Sequence, residues 1–214
     1  MQVQGDIESF VAKEIFHAQN FPEALFMLKV GYVKRYQITR DNKRVIELIY
    51  GPGHIFPLSQ LYKKLFGIQL NQDNLVYVYE AMTDITITSL SDDRIVAALE
   101  ADPMLYQDLF FEGGLRLKSN IERLASNALL DDYKKVAHQL VCLADEFGIS
   151  EDQDGISKVV INVPLVPLDM AEQLNISVQV AEAVLSSLSN NGIIEIENNL
   201  ITVPNLDLLK DTYL

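Results

Sequence analysis

The segment Leu168–Val203 carries side chains whose chemistry suits the edges of DNA base pairs. It reads LDMAEQLNISVQVAEAVLSSLSNNGIIEIENNLITV, and its spacing predicts two short helices followed by a hairpin, the order of a winged helix-turn-helix. The second helix begins after Ser177, a favourable N-cap residue. Hydroxyl, amide and methyl groups along this helix can hydrogen-bond to base edges or contact the thymine methyl. The candidate base-reading residues are Ser177, Val178, Gln179, Val180, Ser186 and Ser187.

The charge of the same segment opposes binding to a polyanion. It contains no Lys or Arg, whereas Asp169, Glu172, Glu182, Glu195 and Glu197 are acidic. Neutralisation of phosphates by basic side chains supplies much of the affinity of DNA-binding proteins. We therefore expect weak binding to double-stranded DNA, on the order of micromolar or worse at physiological salt, unless a partner assists. The candidate phosphate contacts are Lys134, Lys135 and Lys158.

The acidity of the chain is concentrated near its C-terminal end. The 214 residues have a formal net charge of −13, and residues 151–214 hold 2 basic and 10 acidic residues, a net of −8. No run of about 18 apolar residues occurs, so we expect no membrane-spanning helix. The start, MQVQGDIESF, does not resemble a signal peptide. A single cysteine, Cys142, fits a reducing cytoplasm and excludes a multi-cysteine zinc or iron–sulfur site.

The sequence offers little support for an enzyme or a metal site. GPGHIFP lacks the spacing of a phosphate-binding loop and the Lys that follows one. The neighbouring carboxylates Asp131 and Asp132 would point about 100° apart on a helix instead of converging. The three histidines, His17, His54 and His138, show no ligand spacing. We therefore predict no catalytic residues and no bound metal.

The elements that would carry these residues fall into three segments. The first, to about Ser91, is typical of strands. Phe26–Ile38 alternates apolar and polar residues, and Asp41-Asn42 favours a turn. VIELIY is then predicted as the second strand of a hairpin. Short helical turns are predicted for Ser59–Leu70, and NLVYVYEAMTDITITSL indicates two strands broken near Met82–Asp84. An antiparallel roll or sandwich is the natural assembly of such strands.

The second segment changes to a helical period. Apolar or small residues recur at spacings of three or four from Leu105 to Ala128, which predicts a long helix with one stripe, and a second helix should end at Gly148. The stripe must be buried on the roll, on a second copy of the helix, or on both, and we favour both, giving a two-fold dimer. If it is buried on the roll alone, the protein is a monomer. The predicted dimer-helix residues are Leu109, Gly113, Leu117, Ile121 and Leu124.

The third segment predicts the winged helix-turn-helix itself. Ser150–Gly155 is polar and acidic and is interpreted as a surface loop or hinge, ISKVVINVPLV as a strand, and Asn198-Asn199 as a hairpin tip. The predicted fold class is α+β, with an N-terminal antiparallel β-roll resembling a cyclic-nucleotide-binding domain, a long dimerisation helix and a C-terminal winged helix-turn-helix. The predicted domain ranges are 1–101, 102–130 and 131–214.

This order resembles the CRP/FNR family of bacterial transcription regulators over nearly the whole chain. LKVGYVKRYQITRDNKRVIELIYGPGHIF is similar to the family's roll core, and ALLDDYKKVAHQLVCLA to its hinge and following helix. The positions that match the family's helix-turn-helix are Ala171, Leu174, Ser177, Val184, Leu188, Gly192 and Ile193. The resemblance implies a dimeric, DNA-binding transcription regulator in the cytoplasm. It also implies a second partner: in some members the hairpin that matches Lys34–Arg44 faces RNA polymerase, although a solvated hairpin is the alternative.

Several positions depart from the family's pattern. His54 follows Gly53 where members that bind cyclic nucleotides have Glu, and Leu75-Val76 stands where they have Arg-Ser, so we predict no cyclic AMP or cyclic GMP at the usual site. The cysteine cluster of the oxygen-sensing members is also missing. The altered pocket either takes an apolar or aromatic ligand or is filled by its own side chains. Its predicted lining is Tyr50, Tyr62, Phe66, Tyr77 and Tyr79.

The recognition helix departs from the family as well. Val178, Gln179 and Ala183 stand where members carry the Arg and Glu that read guanine and cytosine. Gln pairs bidentately with adenine, and Val can contact the thymine methyl, which favours A·T-rich operators. Two hypotheses remain. In the first the protein is a dimeric regulator that binds DNA; in the second the acidic winged helix has lost DNA and serves as a protein-interaction or dimerisation module.

Overall fold

The chain divides into two units, residues Met1–Arg116 and Leu117–Leu214. The computed structural model describes residues 6–16, 24–58, 65–67, 77–153 and 156–213. The helices are α1 (Asp92–Ala101), α2 (Met104–Leu129), α3 (Asp132–Phe147), α4 (Pro167–Leu174), α5 (Val178–Asn190) and α6 (Leu206–Asp211). The division between the units falls inside α2, between the boundaries that the sequence placed at residues 101 and 131. None of the described helices is long and apolar enough to cross a bilayer.

The first unit is an antiparallel β structure followed by helices, as the alternation of its residues predicts. Its described strands are β1 (Asp6–Phe10), β2 (Ile15–Phe16), β3 (Ala24–Val30), β4 (Val33–Ile38), β5 (Arg44–Tyr50), β6 (Ile55–Phe56), β7 (Tyr77–Ala81) and β8 (Ile85–Ser91). They form two sheets, in the orders β1-β8-β3-β6 and β2-β7-β4-β5. The predicted antiparallel roll and the break near Met82–Asp84 are confirmed. The predicted helical turns at Ser59–Leu70 lie largely outside the described residues.

Gly31 ends the first long strand, which the sequence predicts as continuous from Phe26 to Ile38. The chain leaves β3 at Val30 and enters β4 at Val33, and Gly31 has a φ of +85°. A Cβ added at Gly31 would lie 2.3 Å from the carbonyl oxygen of Asp84. The prediction of one strand is therefore wrong, because the chain turns tightly where only glycine fits this close backbone approach.

Aromatic side chains form the core of the first unit. Tyr79 stacks on Phe56 with ring centroids 5.3 Å apart and on Phe16 at 5.6 Å. Tyr50 packs on Phe56 at 4.6 Å, and Phe26 on Phe56 at 5.7 Å. All five are buried. Offset and tilted ring pairs of this kind add to the free energy gained by burying the rings' apolar surface, so we expect these side chains to be fixed in place.

Helix α2 does not present the predicted stripe on one face. Leu105 and Leu109 are half-buried and pack against the first unit's cluster of Leu25, Leu90, Ile95 and Leu99. In contrast, the side chains of Leu117, Ile121 and Leu124 are 61%, 57% and 66% exposed. Leu109 is therefore corrected from a dimer-helix residue to a core-facing residue, because the stripe drifts around the helix over its length. Gly113 is half-buried, whereas its neighbour Gly114 is exposed.

The second unit consists of α2's last turns, α3, a small sheet and the remaining helices. The sheet contains β9 (Gly148–Gln153), β10 (Ile156–Ile161), β11 (Glu195–Glu197) and β12 (Leu200–Val203), in the order β11-β12-β10-β9. Helix α3 ends at Phe147, as predicted from Gly148. The prediction of a loop at Ser150–Gly155 is wrong for its first four residues, because Ser150–Gln153 pairs antiparallel with β10. Its polar composition hid an edge strand that pairing with β10 holds extended.

Candidate nucleic-acid interface

Helices α4 and α5 are joined by a tight turn that fixes the face each helix presents. Asn175 ends α4 in the left-handed conformation, with a φ of +54°. Ser177 caps α5, because its Oγ accepts a hydrogen bond of 3.2 Å from the backbone N–H of Val180. The buried face of α5 consists of Ala181, Val184, Leu185 and Leu188. Helix α5 is therefore anchored along one face and open along the opposite one.

The open face of α5 carries an uncharged stripe. Gln179, Ala183, Ser186 and Asn190 are all exposed and follow one another at spacings of four, three and four residues. On an α-helix these positions lie within about 60° of one another, opposite the buried face. We refer to these four residues as the outward stripe. Glu182, also exposed, is the charged residue beside it.

The structure sorts the six predicted base-reading residues into three groups. Gln179 and Ser186 lie on the outward stripe, whereas the Ser177 hydroxyl is engaged in capping. Val178, Val180 and Ser187 are half-buried at the sides of the helix. Ala183 and Asn190 were not among the six, although counting on from Gln179 in steps of four, three and four would have found them.

The hairpin that follows α5 is acidic. Its tip, Asn198-Asn199, has φ values of +50° and +64°, as the residue pair predicts. Glu195 and Glu197 are exposed on β11 and share one face of the strand because side chains alternate with a period of two. Ile196 between them is 43% exposed on the other face. We call β11, the tip and β12 the wing; its surface would repel phosphate.

One of the three predicted phosphate contacts is paired within its own helix, and the other two are half-buried. Lys135 forms an ion pair of 3.2 Å with Asp132 on the same turn of α3. The backbone N–H of Lys134 donates to Asp131, the N-cap of α3, and its side chain is half-buried. Lys158 is half-buried on β10. The uncapped N–H groups at the start of α5 are thus an important remaining source of positive potential near the outward stripe.

The predicted effector pocket is largely filled by its own side chains. Tyr50 and Tyr79 are 2% and 1% exposed within the aromatic core, so they are corrected from pocket-lining to space-filling residues. Tyr77 is covered by the Arg35 guanidinium, 4.8 Å from the ring centroid. Phe66 lies on an open groove with Tyr106 and Phe110. Tyr62 is outside the described residues. Of the two alternatives, the described tyrosines favour the filled pocket, because large rings packed against one another leave no space.

Half-buried polar groups lie beside this aromatic core. Arg35 donates to Glu47 at 2.7 Å, and Arg116 donates to Glu112 at 2.8 Å while its guanidinium lies 4.7 Å from the Tyr50 ring centroid. Burial raises the pKa of the Tyr50 hydroxyl, and burial together with the Arg116 charge lowers the pKa of His54 to about 4. The neutral His54 Nδ1 accepts from the Gly51 N–H at 3.1 Å. His54 therefore cannot supply the negative charge of a Glu; Leu75-Val76 lies outside the described residues.

The basic hairpin of β4 and β5 is mostly paired within its own unit. Lys34 and Arg44 both bind Glu80, at 3.1 and 2.7 Å, and Arg35 binds Glu47 at 2.7 Å. Arg44 also lies 3.9 Å from the ring centroid of Tyr36. Arg40 and Lys43 remain exposed near the turn. These pairs favour the interpretation of this hairpin as a structural, solvated element.

Cys142 and His138 form the remaining cluster of reactive side chains in the second unit. The Cys142 Sγ lies 3.8 Å from the His138 Nδ1 on the same face of α3. Burial, reinforced by Glu122, raises the pKa of the thiol to about 11, so it stays protonated at neutral pH. Across the described ranges no three His, Cys, Asp or Glu side chains come together as a metal site would require.

Known proteins with a similar architecture were found by comparison of sequence and of structure. Residues 134–212 match the family model for the Crp-like helix-turn-helix domain. No curated protein matches the sequence. Among solved structures, FixK2 from Bradyrhizobium japonicum is 16% identical, with 97% of this chain and 96% of that chain covered and a TM-score of 0.72. A CooA variant from Carboxydothermus hydrogenoformans is 19% identical over 98% and 88%, with a TM-score of 0.74. TTHA1359, a CRP/FNR-family transcriptional regulator from Thermus thermophilus, is 20% identical over 97% and 98%, with a TM-score of 0.67.

Proposed function

Because this chain has the fold of the CRP/FNR transcription regulators and ends in a Crp-like helix-turn-helix domain, we propose that it is a dimeric, cytoplasmic transcription regulator. It binds A·T-rich DNA through the outward stripe of α5. TTHA1359, which this chain resembles in fold, is a transcriptional regulator.

The outward stripe is the observation on which this proposal depends. A helix that enters the major groove needs an exposed face of groups that fit base edges, and Gln179, Ala183, Ser186 and Asn190 form such a face. Gln and Asn pair bidentately with the N6 and N7 of adenine, Ala contacts the thymine methyl, and Ser bonds to either type of base. Without Arg or Lys on the stripe, guanine receives no bidentate donor. The stripe therefore favours A·T over G·C pairs.

The exposed apolar residues of α2 support the dimer in this proposal. Phe110, Gly114, Leu117, Ile121, Leu124 and Ala128 succeed one another at spacings of four, three, four, three and four. This is the repeat of a two-stranded coiled coil, and we call these residues the α2 seam. Its large members are more than half exposed, which leaves a continuous apolar strip in water. A second copy of α2 would cover the strip, and a two-fold dimer would present two α5 helices to two half-sites.

The acidic wing makes this binding weak and dependent on context. The segment Leu168–Val203 has five carboxylates and no Lys or Arg, and two of them, Glu195 and Glu197, are exposed on the wing. A partner such as RNA polymerase would add affinity that the protein alone does not have. The lack of an acidic group at His54 argues against cyclic AMP or cyclic GMP as the effector.

A selection from random duplexes at about 50 mM salt tests the proposal. We expect enriched sites to be palindromic and rich in A·T, and anisotropy titration of an enriched site to saturate. Ala183→Glu, which places a carboxylate on the outward stripe, should abolish the binding. Ala97→Glu is the matched control, because Ala97 is exposed on α1 and gives the same change of charge.

The wing's carboxylates favour a second candidate function, in which the winged domain binds a protein. In that case no duplex is enriched over the input, and Ala183→Glu and Ala97→Glu behave alike on DNA. Saturable binding of an enriched duplex by the parent protein, lost in Ala183→Glu alone, excludes this candidate for the free protein.

A further inference from the structure

A cavity of about 250 Å³ lies in the first unit, outside the aromatic core. Its walls come from β3, β8, α1 and the first turns of α2, and include Leu25, Leu90, Ile95, Leu99 and Leu109. Tyr50, Tyr77 and Tyr79 of the predicted effector pocket do not line it. Its volume is somewhat below the range of about 300–1,000 Å³ found for drug-sized ligands, which indicates a smaller guest.

The walls of this cavity are well packed and largely apolar. Leu25 and Leu99 are almost fully buried, and Leu105 and Leu109 pack against the same cluster. Water gains few hydrogen bonds in a space of this kind, and apolar cavities of similar chemistry accept hydrocarbon guests. The cavity is therefore suited to a compact hydrocarbon body.

The mouth of the cavity is polar and carries a net negative charge. Asp108 and Glu112 lie one turn apart on α2 and both contribute to the lining. The Glu112 carboxylate accepts from Arg116 at 2.8 Å and is thereby compensated. Asp108 is exposed and has no ion-pair partner among the described residues. A cation placed at Asp108 gains Coulomb energy that an anion would lose.

Gly53 is the exposed glycine of the lining and leaves open space beside it. It has a φ of +90°, and a Cβ built on it would have no heavy atom within 4 Å. The open groove beside Phe66 shares Asp108 and Leu109 with the cavity. A guest can therefore enter along α2 while its charged group remains in contact with water.

From this arrangement we propose that the cavity binds a small amphiphile with a compact hydrocarbon body and a protonated amine. The body fills the space between Leu25, Leu99 and Leu109, and the ammonium group pairs with Asp108 at the mouth. The inference stands apart from DNA binding, because none of its observations involves the winged domain.

Three probes with one hydrocarbon body and different head groups test the proposal: 1-aminoadamantane, 1-adamantanol and 1-adamantanecarboxylic acid. Methionine methyl groups labelled with ¹³C report the site, because Met27 lines the cavity and Met170 is buried in the second unit. We expect the amine to shift the Met27 signal in a saturable way and to leave Met170 unchanged. Affinity should fall in the order amine, alcohol, acid, with the amine at least about tenfold tighter than the acid.

Asp108→Asn removes the carboxylate charge at the mouth and leaves the apolar walls of the cavity unchanged, so it tests the two contributions separately. Because Asp108 is exposed, we expect the variant to fold as the parent does. It should bind the amine and the alcohol with similar affinity, whereas the control Asp145→Asn on α3 should keep the parent's preference. Ala98→Leu, which adds volume to the lining, should weaken all three probes. No shift of Met27 with any probe at millimolar concentration, or an acid that binds as tightly as the amine, would overturn the proposal.

Discussion

Replacing Glu195 and Glu197 of the wing by Gln should tighten DNA binding. Both side chains are exposed on one face of β11, opposite Thr202 and Leu200 of β12, and the described residues give them no ion-pair partner. The double substitution therefore leaves the fold intact and removes two negative charges from each protomer. If the wing lies beside the DNA backbone, these are charges that oppose binding.

The size of the effect follows from Coulomb's law. A carboxylate about 8 Å from a phosphate in water is repelled by about 0.5 kcal/mol, and screening at physiological salt reduces this to about 0.2 kcal/mol. Four carboxylates in a dimer, each facing one or two phosphates, give a total of about 1–2 kcal/mol at low salt. Affinity should thus rise by about 5- to 30-fold at about 50 mM salt and by much less at about 300 mM.

Anisotropy titration of one enriched duplex at several salt concentrations measures the effect. A matched control, Glu100→Gln with Asp145→Asn, changes the net charge equally at exposed positions on α1 and α3. The control should change affinity by less than about twofold, because long-range repulsion is screened. If the wing variant binds no more tightly than the parent, or if the control gains as much, the wing does not lie beside the DNA backbone.

Four further changes probe the other parts of the molecule. Gln179→Ala should cost about 1–3 kcal/mol per half-site on an A·T-rich duplex and relax selection at one base pair, as a repeated selection would show. Ile121→Glu should convert a dimer to monomers in sedimentation without loss of helix content, since two carboxylates would meet at the α2 seam; a variant that remains dimeric would refute the seam. Gly31→Ala should destabilise the first unit by about 3 kcal/mol in urea unfolding, because its φ is +85° and the added Cβ meets a carbonyl oxygen. His54 has a folded pKa of about 4, below its unfolded value of 6.5, so stability should be lost as pH falls from 6.5 to 4. His54→Gln should flatten this part of the curve of melting temperature against pH.

The winged domain was predictable because its signals are local. The Ser177 cap and the positive φ values of Asn198 and Asn199 each depend on residues within one turn of chain. Such local chemistry acts before any tertiary packing and can be identified from sequence. The uncharged character of the outward stripe was visible in the same way.

Other features depend on partners that are distant in the sequence. The break at Gly31 is set by the carbonyl of Asp84, and the strand at Ser150–Gln153 by pairing with β10. Which face of α2 turns toward the first unit depends on Leu25 and Leu90, which the periodicity of α2 alone does not contain. For these elements the sequence pattern allows more than one arrangement, and tertiary contacts select one.

The predicted effector pocket likewise could not be judged from the sequence alone. Tyr50 and Tyr79 were identified by residue type, and polar aromatic residues are common both in ligand pockets and in cores. Whether the rings leave a space among them depends on all their positions together. The cavity beside Leu99 and Leu109 gave no sequence signal, since its lining is indistinguishable from ordinary core residues.

The lack of charge on the outward stripe also determines how such a protein would find its site. Proteins that slide along DNA are held there by sequence-independent attraction to the phosphates. A helix offering Gln179, Ser186 and Asn190 has little of that attraction, so the chromosome would not sequester the protein between encounters. It would arrive by diffusion through the solvent, one trial at a time. Few molecules would be bound non-specifically to other DNA, but association with the specific site would be slower.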